Sequence, residues 1–169
     1  MIQCYFGNGK GKTTASVGAA VRYAGSGNKV LYVSFLKNNR SSEFAVFSKL
    51  EKIDVLYSPV EYRLFDNQKE DLSPVFSDAY TKLLAEAEKR CDSYDMIVLD
   101  EILDTVSFGY VSENVLVEFL KVYGEQKEIV LTGHSLPESI EQLSDYISEV
   151  RAVKHPFYGG ALPRKGIEY

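Results

Sequence analysis

Met1-Ile2-Gln3-Cys4-Tyr5-Phe6-Gly7-Asn8-Gly9-Lys10-Gly11-Lys12-Thr13-Thr14 is the stretch on which the fold turns. Ile2 to Phe6 reads as a strand. Thr13 to Tyr23 reads as a helix with Val17, Ala20, Val21 and Ala24 on one side, and Gly25-Ser26-Gly27-Asn28 ends it by turn chemistry. A glycine loop between a strand and a helix is the setting in which Gly-Lys-Thr carries meaning. Its glycines let backbone N–H groups turn inward as an anion nest, and the helix N-terminus adds unsatisfied donors and a dipole. Lys12 supplies a mobile positive charge for phosphate oxygens, and Thr13 a hydroxyl for Mg²⁺. Gly7, Asn8, Gly9, Lys10, Gly11, Lys12, Thr13 and Thr14 are therefore the candidate triphosphate-binding residues. A glycine-rich turn with a chance Lys-Thr is the bland alternative. The spacing departs from G-x-x-x-x-G-K-[ST]: Phe6 holds the usual glycine position, and Gly7 stands only three intervening residues from Gly11. The glycine loop is one residue short.

Outward from the loop, short β-rich runs alternate with helical segments. Lys29 to Leu36 is apolar on both faces, as a central parallel strand should be. A short helix over Ser42 to Leu50 and a strand over Ile53 to Tyr57 follow. A long helix runs from Asp71 to Cys91, opened by Ser73-Pro74, where proline suits the first turn. Met96 to Leu99 is a buried strand, and Ser112 to Tyr123 a helix with a Ser N-cap. Glu128 to Leu131, Leu136 to Leu143 and Ile147 to Val153 complete the pattern as strand, helix and strand. Such alternation predicts an α/β fold, a mostly parallel sheet of about six strands with helices on both faces. Residues 1–169 are expected to form one RecA-like P-loop NTPase domain.

Met96-Ile97-Val98-Leu99-Asp100-Glu101 delivers two carboxylates at the C-terminal end of a strand, the edge where a parallel sheet carries its site. Carboxylate oxygen suits Mg²⁺, directly or through its waters. Alone, Asp100 reads equally well as the cap of the next turn and Glu101 as solvated; beside the glycine loop the metal reading is favoured. Ile129-Val130-Leu131 ends in Thr132-Gly133-His134-Ser135 at the same edge. His134 stays open between contacting phosphate or nucleobase and capping its loop. His155, in Lys154-His155-Pro156, has no acidic partners at metal-ligand spacing.

Composition narrows the rest. With 45% hydrophobic and 25% charged residues in 169, the chain matches ordinary globular proteins. A net charge of -5 argues against general nucleic-acid binding. Cys4 and Cys91 lack CxxC spacing, which predicts two idle or buried thiols in a reducing compartment. No apolar run approaches the ~18–20 residues that span a bilayer, and the first strand leads straight into the loop with no signal peptide. A cytoplasmic protein off the membrane is expected.

Taken together the motifs resemble the P-loop family of ATP:corrinoid adenosyltransferases. Gly7 to Thr14 is similar to its G-N-G-K-G-K-T-T loop, shortened spacing included; Tyr94 to Glu101 resembles its D-x-V-V-L-D-E strand, and Phe35-Leu36-Lys37 its F-I-K element. Val130-Leu131-Thr132-Gly133 matches a T-G strand end. Pro137 to Tyr169, with Glu149-Val150-Arg151, Val153-Lys154-His155-Pro156-Phe157 and Gly166-Ile167-Glu168-Tyr169, is similar to the family's C-terminal signature. The resemblance implies transfer of the 5′-deoxyadenosyl group of ATP to the cobalt of a reduced cob(I) corrinoid (cobalamin or cobyrinic acid a,c-diamide), releasing triphosphate. It implies ATP bound in reversed orientation and Lys12, Thr13 and Glu101 as catalytic residues. Lys10 and Lys12 would neutralise the triphosphate, Thr13 and Glu101 would hold Mg²⁺, and Asp100 would support them from behind. Asn8 is expected to meet nucleotide atoms. The family's F-T-W-x-T element is absent and the chain has no Trp. Tyr62 and Phe65 stand in its place on the corrinoid side. A homodimer, a flavin-dependent reductant protein and a role in cobalamin biosynthesis are implied by resemblance alone. Two alternatives stay open on the residues: a P-loop ATPase or phosphotransferase using Arg40, Arg63, Arg151 or Arg164, and a non-catalytic nucleotide or corrinoid binder.

Overall fold

Three runs with no polar face dictate the centre of the molecule. β2 (Val30–Ser34), β4 (Met96–Asp100) and β5 (Glu128–Gly133) are buried along almost their whole length, because strands covered on both sides carry apolar residues at successive positions. In a computed structural model that describes residues 1–37, 41–60, 72–156, 160, 162 and 164–167, these strands join β1 (Ile2–Phe6), β3 (Ile53–Tyr57) and β6 (Tyr146–Glu149) in one sheet. The order is β3-β2-β4-β5-β1-β6 and every pairing is parallel. β5 therefore lies between β1, which feeds the glycine loop, and β4, which ends in the acidic pair. That is the strand arrangement of a RecA-like domain.

The period-2 alternation of strand side chains splits the core into two layers. Ile2, Cys4, Leu31, Val33, Ile97, Leu99, Ile129 and Leu131 face one side. There they meet α3 (Ser73–Arg90), α4 (Ile102–Ser107), α5 (Glu113–Tyr123) and α6 (Glu138–Glu141) through Tyr80, Leu84, Ile102, Leu116, Phe119 and Ile140. Val30, Tyr32, Met96, Val98 and Val130 face the other side, under α1 (Lys12–Gly25) and α2 (Phe44–Phe47). Both cysteines are buried free thiols. Among the described residues no helix is long and apolar enough to cross a membrane.

Several boundaries differ from the sequence reading, each for a local reason. α4 was not expected; a six-residue helix directly after the acidic pair is too short for periodicity to betray it. α2 and α6 are single turns rather than the longer segments predicted. Ser112 stands at the N-cap of α5 but its side chain makes no capping bond. β6 ends at Glu149 instead of running to Val153. The chain leaves the sheet there because Val150 and Arg151 pass against the glycine loop.

Candidate active site

The loop is braced from behind by the segment that follows β6. The Gly9 N–H donates to Val150 O at 2.7 Å, and the Ala152 N–H donates to Asn8 Oδ1 at 2.9 Å. The Gly7 N–H reaches Gly133 O and His134 O, both at 3.1 Å. A Cβ on Gly7 would stand 2.6 Å from Val150 O, and one on Gly9 2.7 Å. Side chains are thus excluded at both positions by the protein's own backbone. These N–H groups, and the Asn8 oxygen expected to meet nucleotide, are spent inside the protein. Beyond these contacts the chain enters the N-terminus of α1. Gly11 there gives no side-chain cap and the first turn holds no acid, so the orphan first-turn amides are left for a ligand. Lys12 folds back to donate from Nζ to Gly9 O at 3.0 Å. Burial lowers its pKa, while Asp104, Glu101 and Asp100 oppose the drop.

β4 and β5 build the floor. Asp100 is fully buried. Its Oδ1 accepts from Thr13 Oγ1 at 3.0 Å and Thr132 Oγ1 at 2.8 Å, and its Oδ2 accepts from Lys37 Nζ at 3.1 Å. Thr132 Oγ1 also accepts the Glu101 N–H at 2.7 Å, so one hydroxyl fixes both members of the acidic pair. Lys37, three residues beyond β2, donates to Thr13 Oγ1 at 3.0 Å and lies 3.5 Å from Glu101 Oε1. Burial works to lower the Lys37 pKa, but the charges of Asp100 and Glu101 win and hold it above the ordinary lysine value.

Glu101 receives less from that ammonium than Asp100 does. Burial, assisted by Asp100 and Asp104, pushes its carboxyl up to about 7 against the pull of Lys37. Its backbone has φ 65°, the one positive value at a non-glycine among the described residues. Such a conformation costs on the order of 1–3 kcal/mol and concentrates at functional sites. Glu101 Oε2 is buried with no hydrogen-bond partner. An oxygen in that state, beside a Thr hydroxyl and a second carboxylate, suits a hard cation that takes oxygen ligands.

Thr13, Asp100 and Glu101 therefore meet at one point, with Lys12 beside them. Tyr62 and Phe65 lie outside the described residues, as do Arg40 and Arg63. Three residues of the cluster were missed as participants: Lys37, Asp104 and Thr132. Lys37 and Thr132 sit just past or at the C-terminal ends of site strands, a signal available in the sequence. Asp104 was hidden because α4 was. Thr13, Lys37, Glu101, Asp104 and Thr132 open onto a cavity of about 460 Å³ that also receives Lys10, His134 and Ile167.

A sequence model of the family described as ATP:corrinoid adenosyltransferase BtuR/CobO/CobP matches residues 1–169. The chain belongs to the ATP:corrinoid adenosyltransferase family. It is 29% identical to the corrinoid adenosyltransferase of Escherichia coli K12 over 172 residues, covering 100% of this chain and 85% of that protein. It is 27% identical to the corrinoid adenosyltransferase CobA of Salmonella typhimurium LT2, with the same coverage. Among solved structures it resembles ATPases 2 and 3 of EssC from Geobacillus thermodenitrificans. The TM-score is 0.52 at 14% identity, covering 99% of this chain and 36% of that one. This last likeness speaks to the RecA-like fold alone.

Proposed function

We propose that this family member transfers the 5′-deoxyadenosyl group of ATP to the cobalt of a cob(I) corrinoid. The observation that carries the reading is the family match over the whole of residues 1–169. The cobalt lone pair attacks C5′, a Co–C bond forms, and the C5′–O bond breaks with its electrons leaving on the triphosphate. Cob(I) is itself a strong nucleophile, so the protein has no water or hydroxyl to deprotonate. Its tasks are positioning and stabilising charge on the leaving group.

The residues divide that work. The first-turn amides of α1 and the ammonium groups of Lys10 and Lys12 receive the triphosphate; Lys12 exchanges its bond to Gly9 O for a phosphate oxygen. Gly7 and Gly9 keep the loop closed on its brace. Mg²⁺ fits the oxygen set, with Thr13 and Glu101 as its protein ligands and Asp100 orienting Thr13 from behind. No group of three or more His, Cys, Asp or Glu stands ready for a metal among the described residues. Mg²⁺ commonly takes one or two carboxylates and completes its shell with phosphate and water. When bound, it would neutralise developing charge on the leaving triphosphate. Lys37 holds the Thr13–Asp100–Glu101 group together by supplying positive charge among its oxygens. Tyr62 and Phe65 are assigned to the corrin face, a homodimer to the assembly, a flavin-dependent protein to the supply of electrons, and the cytoplasm to the setting.

The test is incubation with ATP, Mg²⁺ and chemically reduced corrinoid. The expected products are a light-sensitive Co–C species and intact triphosphate in equal amounts. Orthophosphate or ADP in place of triphosphate would mean a phosphotransferase or ATPase instead.

A further inference from the structure

His134 does more than close its loop. Its backbone N–H donates to Asp104 Oδ1 at 3.0 Å, and its ring Nδ1 lies 2.9 Å from the same oxygen. Asp104 is 4% exposed, while the His134 side chain is 66% exposed and lines the cavity that holds Lys10 and Lys12. A carboxylate that takes both donors fixes the tautomer, placing the proton on Nδ1 and leaving Nε2 to meet a ligand. The surface position alone would not orient the ring. The buried partner does.

We propose that His134, held by Asp104, is a third cationic contact for the triphosphate beside Lys10 and Lys12, and that it makes triphosphate affinity depend on pH. This rests on the nucleotide seat described above. The charged groups facing the imidazole are Asp104 on α4, Glu101 at the turn before α4, and Lys12 at the start of α1. The Asp104 hydrogen bond is the largest influence and raises the His134 pKa; burial and Lys12 oppose it, and Glu101 assists. The imidazolium is therefore kept to higher pH than in a free histidine, and a polyanion against Nε2 raises it further. Affinity is full while His134 is charged and falls as pH rises through its pKa.

The experiment is calorimetric titration of inorganic tripolyphosphate into wild type, His134→Gln, His134→Arg and Asp104→Asn from about pH 6 to about pH 9. Taking the ratio of wild type to His134→Gln cancels titration of the ligand itself. That ratio is expected to be on the order of tenfold at the acidic end, the size of one charge-assisted hydrogen bond, and to approach unity at the alkaline end. His134→Arg should stay tight at alkaline pH, and Asp104→Asn should move the decline to lower pH, a shift that a purely structural role would not produce. A ratio near unity throughout, or one above unity but independent of pH, overturns the proposal while leaving the phosphate seat intact. No tripolyphosphate binding by folded wild type overturns the seat as well.

Discussion

Replacing Glu101 by Gln should stabilise the metal-free, nucleotide-free protein above neutral pH and weaken the Mg²⁺ binding proposed for Glu101. Burial lifts the Glu101 carboxyl from 4.5 to about 7. A group whose folded pKa is raised contributes stability that is fully present below its unfolded pKa and lost as pH rises through the folded one. Wild type should thus lose stability between pH 4.5 and about 7. At roughly 1.4 kcal/mol per pH unit, the loss is about 3 kcal/mol. Gln carries no charge, so it escapes that loss. It leaves a buried NH₂ where Oε2 has no partner, which returns about 1 kcal/mol. The net gain is about 2 kcal/mol on the alkaline side. Urea unfolding with a chelator present, at one pH below 4.5 and another well above 7, measures it directly. Titrating groups remote from Glu101 cancel between the two proteins. Adding Mg²⁺ and ATP should narrow or reverse the gap, because wild type gains more from binding than a variant that lacks the Glu101 carboxylate. Parallel pH profiles, or a Gln variant less stable than wild type on the alkaline side, would refute the claim that Glu101 is held charged at a cost.

Thr132→Val removes the hydroxyl that donates to Asp100 and accepts the Glu101 N–H; it should cost about 1–3 kcal/mol, read as a lower urea midpoint, together with slower adenosyl transfer. Gly9→Ala drives a Cβ to 2.7 Å from Val150 O and 2.8 Å from Arg151 C, both backbone atoms. About 1–3 kcal/mol should be lost, with ATP affinity, followed by thermal melting and calorimetry, falling in the same variant. Lys12→Met should leave the melting temperature nearly unchanged and weaken ATP binding by about tenfold or more, since a charge-assisted phosphate contact is removed.

The sheet was legible in the sequence because its strands are unambiguous. β2, β4 and β5 are apolar on both faces, and β1 leads into a glycine loop that few other structures require. The joining of Thr13 to Asp100 and Glu101 was legible too, since a parallel sheet brings its strand ends to one edge. What stayed hidden lies where short segments cross. No local pattern announces that Val150 supports Gly9 across 141 residues, or that six residues after Glu101 form a helix presenting Asp104 to His134. Lys37 was noted for resemblance alone. Its bonds to Thr13 and Asp100 depend on where the chain turns after β2, which composition does not encode.

The brace behind the glycine loop also bears on synthesis. Residues 7–14 are made early, but the contacts that close the loop come from Val150 and Ala152, and the Ile2 N–H is held by Asp145. A nascent chain has emitted its whole phosphate signature long before it can use it. Nucleotide capture should therefore begin only when residues 145–152 have cleared the ribosome, so that ATP acts as a ligand of the finished fold and not as a template for it.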